Sequence, residues 1–370
     1  MMTFPSERGL SLLLGWLLAA AGLSWAPGAA ASELSPSSKV LSRPGAESRA
    51  LQDAVDKGLE FLAGRQEPSG ALGSRYRVAV TSLAGLAVLG AGHQPGQGKY
   101  GRILEKCWLY LRDSDDGTGF LTEPGGSESR MHGHCYAVLF LCELLGSLSP
   151  EREADVASVI RRGVKVIERA QTRDGGWFYT PRPAPEEDEA SVTVCALQAL
   201  RAARNVGISV NSRTVDDAIL YVRKCQVPAD GSFDYSYSNP MPDKPTYALT
   251  VAALSTLNAA GVYDWDPLRR GFDYVRKRLD RVKSPWKAAD EEFIFYANLY
   301  AAQALYQRGG DLWARWYPGV KDHLLASQDQ GHDQDRDRGS WDDRFGREYA
   351  TAVAILILEI PLGYLPIFQR

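Results

Sequence analysis

Histidine provides the most specific chemical signal in this sequence. His132 and His134 straddle a glycine just ahead of a long apolar segment, and the 370-residue chain has only five histidines. Because the pKa of imidazole lies near neutrality, such a residue can serve as a general base or a metal ligand. The pair has no third ligand nearby in sequence, so we predict no metal site. Capping and packing at the start of a helix explain the same residues, and both roles stay open.

Carboxylates form the second chemical group. The acidic run 186–189 ends with Asp188 and Glu189, directly before the apolar periodic segment that begins at Ala190. Two carboxylates facing one cavity shift each other's pKa and can act as acid and base, for example in cleaving a glycosidic bond. Acidic residues at a helix N-terminus also stabilise the helix through its dipole. We prefer this structural interpretation for the run.

Turns of similar composition connect the apolar segments along the chain. The clearest copy is Gln171–Trp177, and related copies follow at Gln226–Phe233 and Gln328–Trp341. Apolar anchor residues close six such turns, at positions 72, 120, 177, 233, 286 and 341. So steady a period indicates a repeat architecture. The glutamine can bond orphan backbone groups at a helix end and Asp-Gly supplies a tight turn, so we interpret these turns as structural.

The spacing of apolar residues predicts two kinds of helix. Between Val156 and Ala170 they fall on one face, whereas the segment from Val192 to Ala203 is apolar over more of its circumference. A one-sided helix suits an outer layer, and its more apolar partner suits an inner layer. Six pairs can close on themselves, and the chain lacks the polar capping repeats of an open stack. We therefore predict an all-α fold, an (α/α)6 toroid of six helix-pair repeats.

The repeated pattern Gln-x-x-Asp-Gly-Gly-Trp resembles the repeats of squalene/hopene cyclases and of protein prenyltransferase β-subunits, which share an α/α toroid. The chain is most similar to exported bacterial prenyltransferase and squalene oxidase repeat proteins, through Gly133–Leu141, Tyr296–Ala304 and Tyr364–Arg370. The resemblance covers roughly residues 51–360. It implies a central apolar cavity that binds or transforms an isoprenoid or terpenoid.

The resemblance also implies where a site would lie, because loops entering the inner helices line one mouth of such a toroid. The candidate catalytic residues are therefore His132, His134, Tyr136, Asp188 and Glu189. The usual catalytic motifs are missing from this mouth, since no Asp-x-Asp-Asp begins an inner helix and no zinc-binding Asp-x-Cys occurs. Whether the chain is an enzyme thus stays open. A carbohydrate-active toroid enzyme and a non-catalytic exported scaffold are the alternatives.

The ends and the charge of the chain set further expectations. A formal net charge of −3 gives no basic surface bias, so nucleic acid is not an expected partner. Arg8, the apolar run 10–23 and the small residues 29–31 predict a signal peptide over residues 1–31, cut near Ala31, and hence export to the periplasm or beyond. An uncleaved N-terminal anchor is the alternative. We expect a flexible leader over 32–50 and a toroid domain over 51–370. We also expect five buried thiols, with a disulfide between repeats as the alternative in an exported chain.

Overall fold

The computed structural model describes residues 46–123, 130–182, 187–240, 246–262, 266–332 and 335–369. Within these ranges the chain forms twelve α-helices and no named strand. In order they are α1 Ala46–Arg65, α2 Arg77–Gly90, α3 Gly101–Asp113, α4 Arg130–Leu144, α5 Pro150–Ala170, α6 Ala190–Asn205, α7 Ser212–Lys224, α8 Thr246–Ala259, α9 Asp266–Asp280, α10 Ile294–Arg308, α11 Gly310–Ser327 and α12 Arg347–Glu359.

The even-numbered helices form a closed inner ring. Each packs against the next, from α2 through α4, α6, α8 and α10 to α12, and α12 packs back against α2. The odd-numbered helices lie outside, with α1 on α12 and α3, α5, α7, α9 and α11 on the inner helix that precedes each. The predicted all-α toroid of six helix pairs is confirmed.

Burial follows the predicted division into two layers. In the outer helix α5, the apolar residues from Val156 to Ala170 are buried on one face, and charged residues such as Arg161 and Lys165 are exposed. In the inner helix α4, nearly every residue from Met131 to Leu144 is buried. An inner helix is covered by its ring neighbours and by an outer helix, so it has little surface left for water.

The start of the first helix differs from the predicted domain boundary. The first helix begins at Ala46 rather than Leu51, so residues 46–50, which the sequence placed in the leader, are helical. The predicted signal peptide lies outside the described residues.

The five cysteines are all buried and unpaired. No helix in the described part of the chain has the length and apolarity to cross a bilayer.

The glutamine of each complete turn links one repeat to the next rather than only ending its own helix. Gln171 Nε2 donates to the carbonyl of Gly175 in its turn, at 2.9 Å, and to that of Thr214 in the first turn of α7, at 2.8 Å. Gln328 does the same with Gly339 and with Ala54 of α1. This last bond ties the sixth repeat to the first, so it helps to close the ring.

The turn glycines allow the same close approach. Gly175 has a φ of +96°, and a Cβ placed on it would lie 2.3 Å from the carbonyl oxygen of Asp217 in α7. Gly339 has a φ of +84°, and its Cβ would lie 2.5 Å from the carbonyl oxygen of Lys57 in α1. Only glycine meets both demands without strain. The steady period in the sequence therefore reflects a contact between successive outer helices.

A side chain near the start of each inner helix fixes the turn before it. In four repeats a threonine hydroxyl accepts a hydrogen bond from the backbone N–H of the anchor residue, and these residues are Thr81, Thr193, Thr250 and Thr351. In the fifth repeat Asn298 Nδ2 donates to the carbonyl of Trp286. In the second repeat His134 holds this position and accepts from the N–H of Leu121 at 3.0 Å.

Candidate functional site

A cavity of about 370 Å³ lies at the N-terminal ends of the inner helices. All six inner helices contribute to it from their first seven residues, together with the loops that precede them. The lining residues are Tyr76, Ala79, Val80, Leu83, His132, Tyr136, Tyr179, Glu189, Ser191, Tyr235, Ala248, Leu249, Phe293, Tyr296, Arg344, Phe345 and Tyr349. Its size and mostly apolar, aromatic lining are typical of a small-molecule site. The cavity thus lies at the mouth that the resemblance implied.

Glu189 is the buried carboxyl group of this cavity. It is the N-cap residue of α6, and its Oε2 accepts hydrogen bonds from Val192 N at 2.8 Å and from Ser191 Oγ at 2.5 Å. Burial raises its pKa to about 7, although these hydrogen bonds act in the opposite direction. A carboxyl group in this state can donate a proton at neutral pH as well as accept one.

His132 is connected to Glu189 by hydrogen bonds through the hydroxyl of Ser191. Its Nε2 lies 2.9 Å from Ser191 Oγ. When Glu189 is ionised, the serine hydroxyl donates to it and His132 Nε2 donates to Ser191 in turn, which leaves Nδ1 as an acceptor without a partner. Burial lowers the pKa of His132 to about 4, so the ring is neutral at neutral pH. Burial thus shifts the two pKa values in opposite directions, and in each case it favours the neutral form of the group.

Tyrosines surround this pair. The hydroxyl of Tyr235 lies beside the Glu189 carboxyl and forms a short hydrogen bond with the hydroxyl of Tyr179. Tyr136 also lines the cavity, but its hydroxyl points to that of Tyr300, 3.2 Å away. Burial raises the pKa of Tyr136 well above its ordinary value, so it stays a neutral hydroxyl. The tyrosines supply hydrogen bonds and aromatic surface rather than charge.

Asp188 does not reach the cavity lining, although it directly precedes Glu189. Its carboxylate accepts hydrogen bonds from the hydroxyls of Tyr221 and Ser236 and from the backbone N–H groups of Tyr237 and Ser238. Burial alone would raise its pKa, but these hydrogen bonds outweigh burial and lower it. Asp188 is thus an ionised anchor for the loop that carries Tyr235.

His134 is likewise occupied by the fold. Besides accepting from Leu121, it donates from Nε2 to the carbonyl of Gly163 in α5 at 3.0 Å, and its side chain is fully buried. Burial lowers its pKa to about 4. Of the five candidates, the structure brings His132, Tyr136 and Glu189 together at one cavity. His134 and Asp188 hold the backbone around it.

One match to Asp-x-Asp-Asp does occur in the sequence, at Asp113–Asp116, and its place in the fold argues against an acid role. It follows the outer helix α3 instead of beginning an inner helix. Asp115 accepts from the N–H groups of Gly117 and Gly119 and pairs with Arg162, while Asp116 is exposed and accepts from Thr118. The run stabilises a turn, and none of its residues lines the cavity.

Ser191 and Tyr76 are lining residues that the sequence did not identify. Ser191 follows Glu189 by two positions, at the start of α6, and this spacing was its one visible signal. Tyr76 has a φ of 52°, the left-handed conformation that non-glycine residues seldom adopt. Its ring meets that of Phe345 edge to face, with centroids 6.0 Å apart. A strained backbone at a cavity often marks a functional position.

Two charged side chains at the mouth, Arg344 and Asp290, form ion pairs. Arg344, which lines the cavity, forms an ion pair with Glu292 at 2.8 Å, and Asp290 pairs with Arg278 at 3.1 Å. Among the residues that the structure describes, no three histidine, cysteine or acidic side chains are grouped so that they could hold a metal ion. The polar side chains of the described cavity lining are Glu189, His132, Ser191, Arg344 and the tyrosines.

Comparisons with known proteins identify the fold and no family. No model of a known protein family and no curated protein matches the chain. Among solved structures, a type II terpene cyclase from Scytonema is similar over 86% of this chain and 99% of its own, with 15% identity and a TM-score of 0.55.

Two sugar-active proteins share the architecture to the same degree. A cellobiose 2-epimerase from Bacillus thermoamylovorans has a TM-score of 0.61 at 11% identity, over 84% of this chain and 98% of its own. An alpha-amylase from Clostridium perfringens has a TM-score of 0.56 at 8% identity, over 86% and 99%. At such identities the likeness shows the α/α toroid alone, which carries unrelated chemistries.

Proposed function

We propose that this protein binds an isoprenoid or terpenoid molecule in the cavity at the N-terminal ends of its inner helices. The composition of the cavity lining supports this most directly. Aromatic and aliphatic side chains form most of it, and Glu189 is its one carboxylate among the described residues. Such a surface favours a hydrocarbon ligand, because burying apolar area from water is the main source of affinity for it. The terpene cyclase with this fold has been solved with geranylgeranyl dihydroxybenzoate as its substrate.

Glu189 is the proposed proton donor of this site. With a pKa of about 7 it is a suitable general acid for an oxygen atom, and it is far too weak to protonate an alkene as a cyclase does. His132 is proposed to contact the ligand as a neutral hydrogen-bond acceptor, since its Nδ1 has no partner and a pKa of about 4 leaves the ring unprotonated at neutral pH. Tyr136 is proposed to form part of the aromatic wall that the ligand contacts. We assign His134 and Asp188 to positioning the helix starts around the ligand.

Sugar chemistry is the competing proposal, and the lining does not favour it. Glycosidases place two carboxyl groups on opposite sides of the scissile bond, roughly 5–10 Å apart. The described lining offers only Glu189, since Asp188 is engaged with Tyr221 and Ser236 and Glu292 with Arg344. A cavity with a single acid and this much aromatic surface is better suited to an apolar molecule.

Native mass spectrometry of the protein purified from its own host tests the proposal, with bound molecules extracted and identified. A co-purifying polyprenyl or triterpene species is the expected result. The matched control is Ala248→Trp, which fills the cavity from α8 and should remove the bound species. Recovery of an oligosaccharide, or of no isoprenoid even after incubation with a host lipid extract, would contradict the proposal.

Export is a separate proposal. The order of a basic residue, an apolar run and small residues over 1–31 motivates it. We expect the protein in the periplasmic or extracellular fraction, with an N-terminus near Ser32 by mass spectrometry of the intact chain. A cytoplasmic protein that retains Met1 would rule it out, and a membrane-bound one that retains the apolar run would favour the uncleaved anchor.

A further inference from the structure

Three polar atoms without partners belong to residues that line the cavity. They are Glu189 Oε1, His132 Nδ1 and the hydroxyl of Tyr296, and each is shielded from solvent. The hydroxyls of Tyr235 and Ser191 lie near Glu189 and Tyr296, but neither gives these atoms a hydrogen bond of normal geometry. A buried polar atom without a partner destabilises a fold, because it has lost its hydrogen bonds to water without replacing them. Three on the lining of one cavity indicate a place for a ligand atom that would pair with them.

The chemistry of the three atoms specifies that ligand atom. His132 Nδ1 can only accept a hydrogen bond in the tautomer set by Ser191. Tyr296 can donate one, and Glu189 Oε1 can donate or accept, depending on its protonation. A hydroxyl group both donates and accepts, so it satisfies the set. A hydrocarbon end satisfies none of these atoms.

Charge disfavours the anionic head group of an activated isoprenoid. Arg344 is the one cationic side chain among the described lining residues, and it is already paired with Glu292 at 2.8 Å. A diphosphate requires several cations or a metal ion for its charge. Placed here, it would instead lie against Glu189 and the unprotonated face of His132. The ionised form of Glu189 and the lone pair of His132 Nδ1 would both repel an anion.

We propose that the cavity selects an isoprenoid with a neutral hydroxyl end, whose oxygen lies between Glu189, His132 and Tyr296, over the corresponding diphosphate and the bare hydrocarbon. This rests on the proposed function, because it specifies the polar end of the same ligand. The apolar skeleton would lie along the apolar part of the lining, against Val80 and Leu83 of α2, Tyr349 of α12 and Phe345 just before α12.

Binding of three matched C15 probes to the full mature chain tests this selection. Farnesol, farnesyl diphosphate and farnesene would be titrated into the protein by calorimetry, each delivered from cyclodextrin at the same salt concentration. We expect farnesol to bind roughly tenfold or more tightly than either other probe, since one hydrogen bond to a buried group contributes on the order of 1.4 kcal/mol. The comparison uses only the wild-type protein, so its result does not depend on whether a variant folds.

Two variants sharpen the test. Tyr296→Phe removes one donor from the cluster, and we expect farnesol affinity to fall by about five- to tenfold with farnesene affinity unchanged. The matched control is Glu143→Gln, a buried carboxyl group at the opposite end of the ring whose pKa is also raised to about 7. It should leave all three affinities unchanged.

The outcomes separate the two proposals. If none of the probes and no longer isoprenoid binds, the proposed function fails. If the three probes bind equally, or farnesyl diphosphate binds best, the head-group proposal is overturned while isoprenoid binding stands. Equal loss of farnesol and farnesene affinity in Tyr296→Phe would likewise overturn it, because the tyrosine would then act only through packing.

Discussion

The two ends of the inner ring bury the same kind of acid in different surroundings. At the N-terminal end, Glu189 borders a cavity. At the C-terminal end, Glu143 accepts the backbone N–H of Ile367, and the C-terminal tail fills the space with Leu365 and Ile367, both buried. Burial raises the pKa of both carboxyl groups to about 7. A perturbed pKa alone therefore does not identify a site, and the space beside the acid is what distinguishes the two ends.

Buried polar layers separate these ends along the ring axis. Nearest the cavity, Tyr136 and Tyr300 share a hydroxyl contact, and Tyr300 contacts Cys195 at 3.4 Å. Further along α6, Gln198 donates to Gln303 on α10 at 2.7 Å. These hydrogen-bonded side chains lie between the cavity and the C-terminal end of the ring.

Removing the tail should have the largest effect on the comparison. Deletion of residues 363–370 exposes the C-terminal end of the ring and removes two buried apolar side chains, Leu365 and Ile367. We expect a loss of about 3–6 kcal/mol in the free energy of unfolding, at about 1.5–3 kcal/mol for each side chain. Chemical denaturation measures it. Isoprenoid affinity at low temperature should persist, and its loss would show that the two ends are coupled.

Substitution of His134 should follow next in size. His134→Leu leaves the Leu121 N–H and the Gly163 carbonyl without partners inside the protein, for which we expect about 2–4 kcal/mol of destabilisation. His134→Thr introduces the residue found at this position in four other repeats and should cost clearly less, since its hydroxyl can still accept from Leu121. Denaturation of both variants at pH 7 checks this. Equal destabilisation by the two would contradict the structural role.

Titration of the two acids should give effects of intermediate size. The pKa of Glu189 is about 7 in the folded state and 4.5 for an ordinary glutamate. Between these two pH values the folded protein keeps the proton on Glu189, whereas the unfolded chain loses it. Stability therefore falls as pH rises from 4.5 to 7, by at most about 3 kcal/mol for each acid, and stays reduced above that. Glu189→Gln and Glu143→Gln should both unfold at higher denaturant than the wild type at pH 8.

Ligand binding separates those two variants. Only Glu189→Gln should change farnesol affinity, because Glu143 lies beneath the polar layers of the ring axis. If Glu143→Gln weakens binding as much, the cavity is not the binding site. If neither variant becomes more stable relative to the wild type as pH rises from 4.5 to 8, the two acids have ordinary pKa values in the folded protein. Glu189 would then be ionised at neutral pH and could not be the proposed proton donor.

Tyr136 should give the smallest effect. Its hydroxyl contacts that of Tyr300 rather than the cavity, so Tyr136→Phe removes one hydrogen bond between neutral groups and keeps the aromatic surface. We expect about 1 kcal/mol or less of destabilisation and less than a threefold change in ligand affinity. A larger loss of affinity, with stability unchanged, would place Tyr136 in direct contact with the polar end of the ligand.

The architecture was predictable from sequence because it depends on local periodicity. Six anchors spaced by one turn motif, between helices of alternating apolar character, already predict six helix pairs, and the contact between α12 and α2 confirms that they close. The bond from Gln328 to Ala54 was beyond such reasoning, since it joins residues far apart in the chain. The helix start at Ala46 was also missed, because Ser48, Arg49 and Ala50 are exposed and show no apolar periodicity.

The roles of neighbouring candidates were decided only by the tertiary structure. Two residues apart on α4, His132 and His134 point about 200° apart around the helix, so one lines the cavity and the other bonds to α5. In extended backbone at the start of α6, Asp188 and Glu189 point to opposite sides, one to a loop and one to the cavity. Sequence placed each pair at the mouth of the ring. Which member faces the axis depends on helix rotation, which the packing of all six inner helices sets.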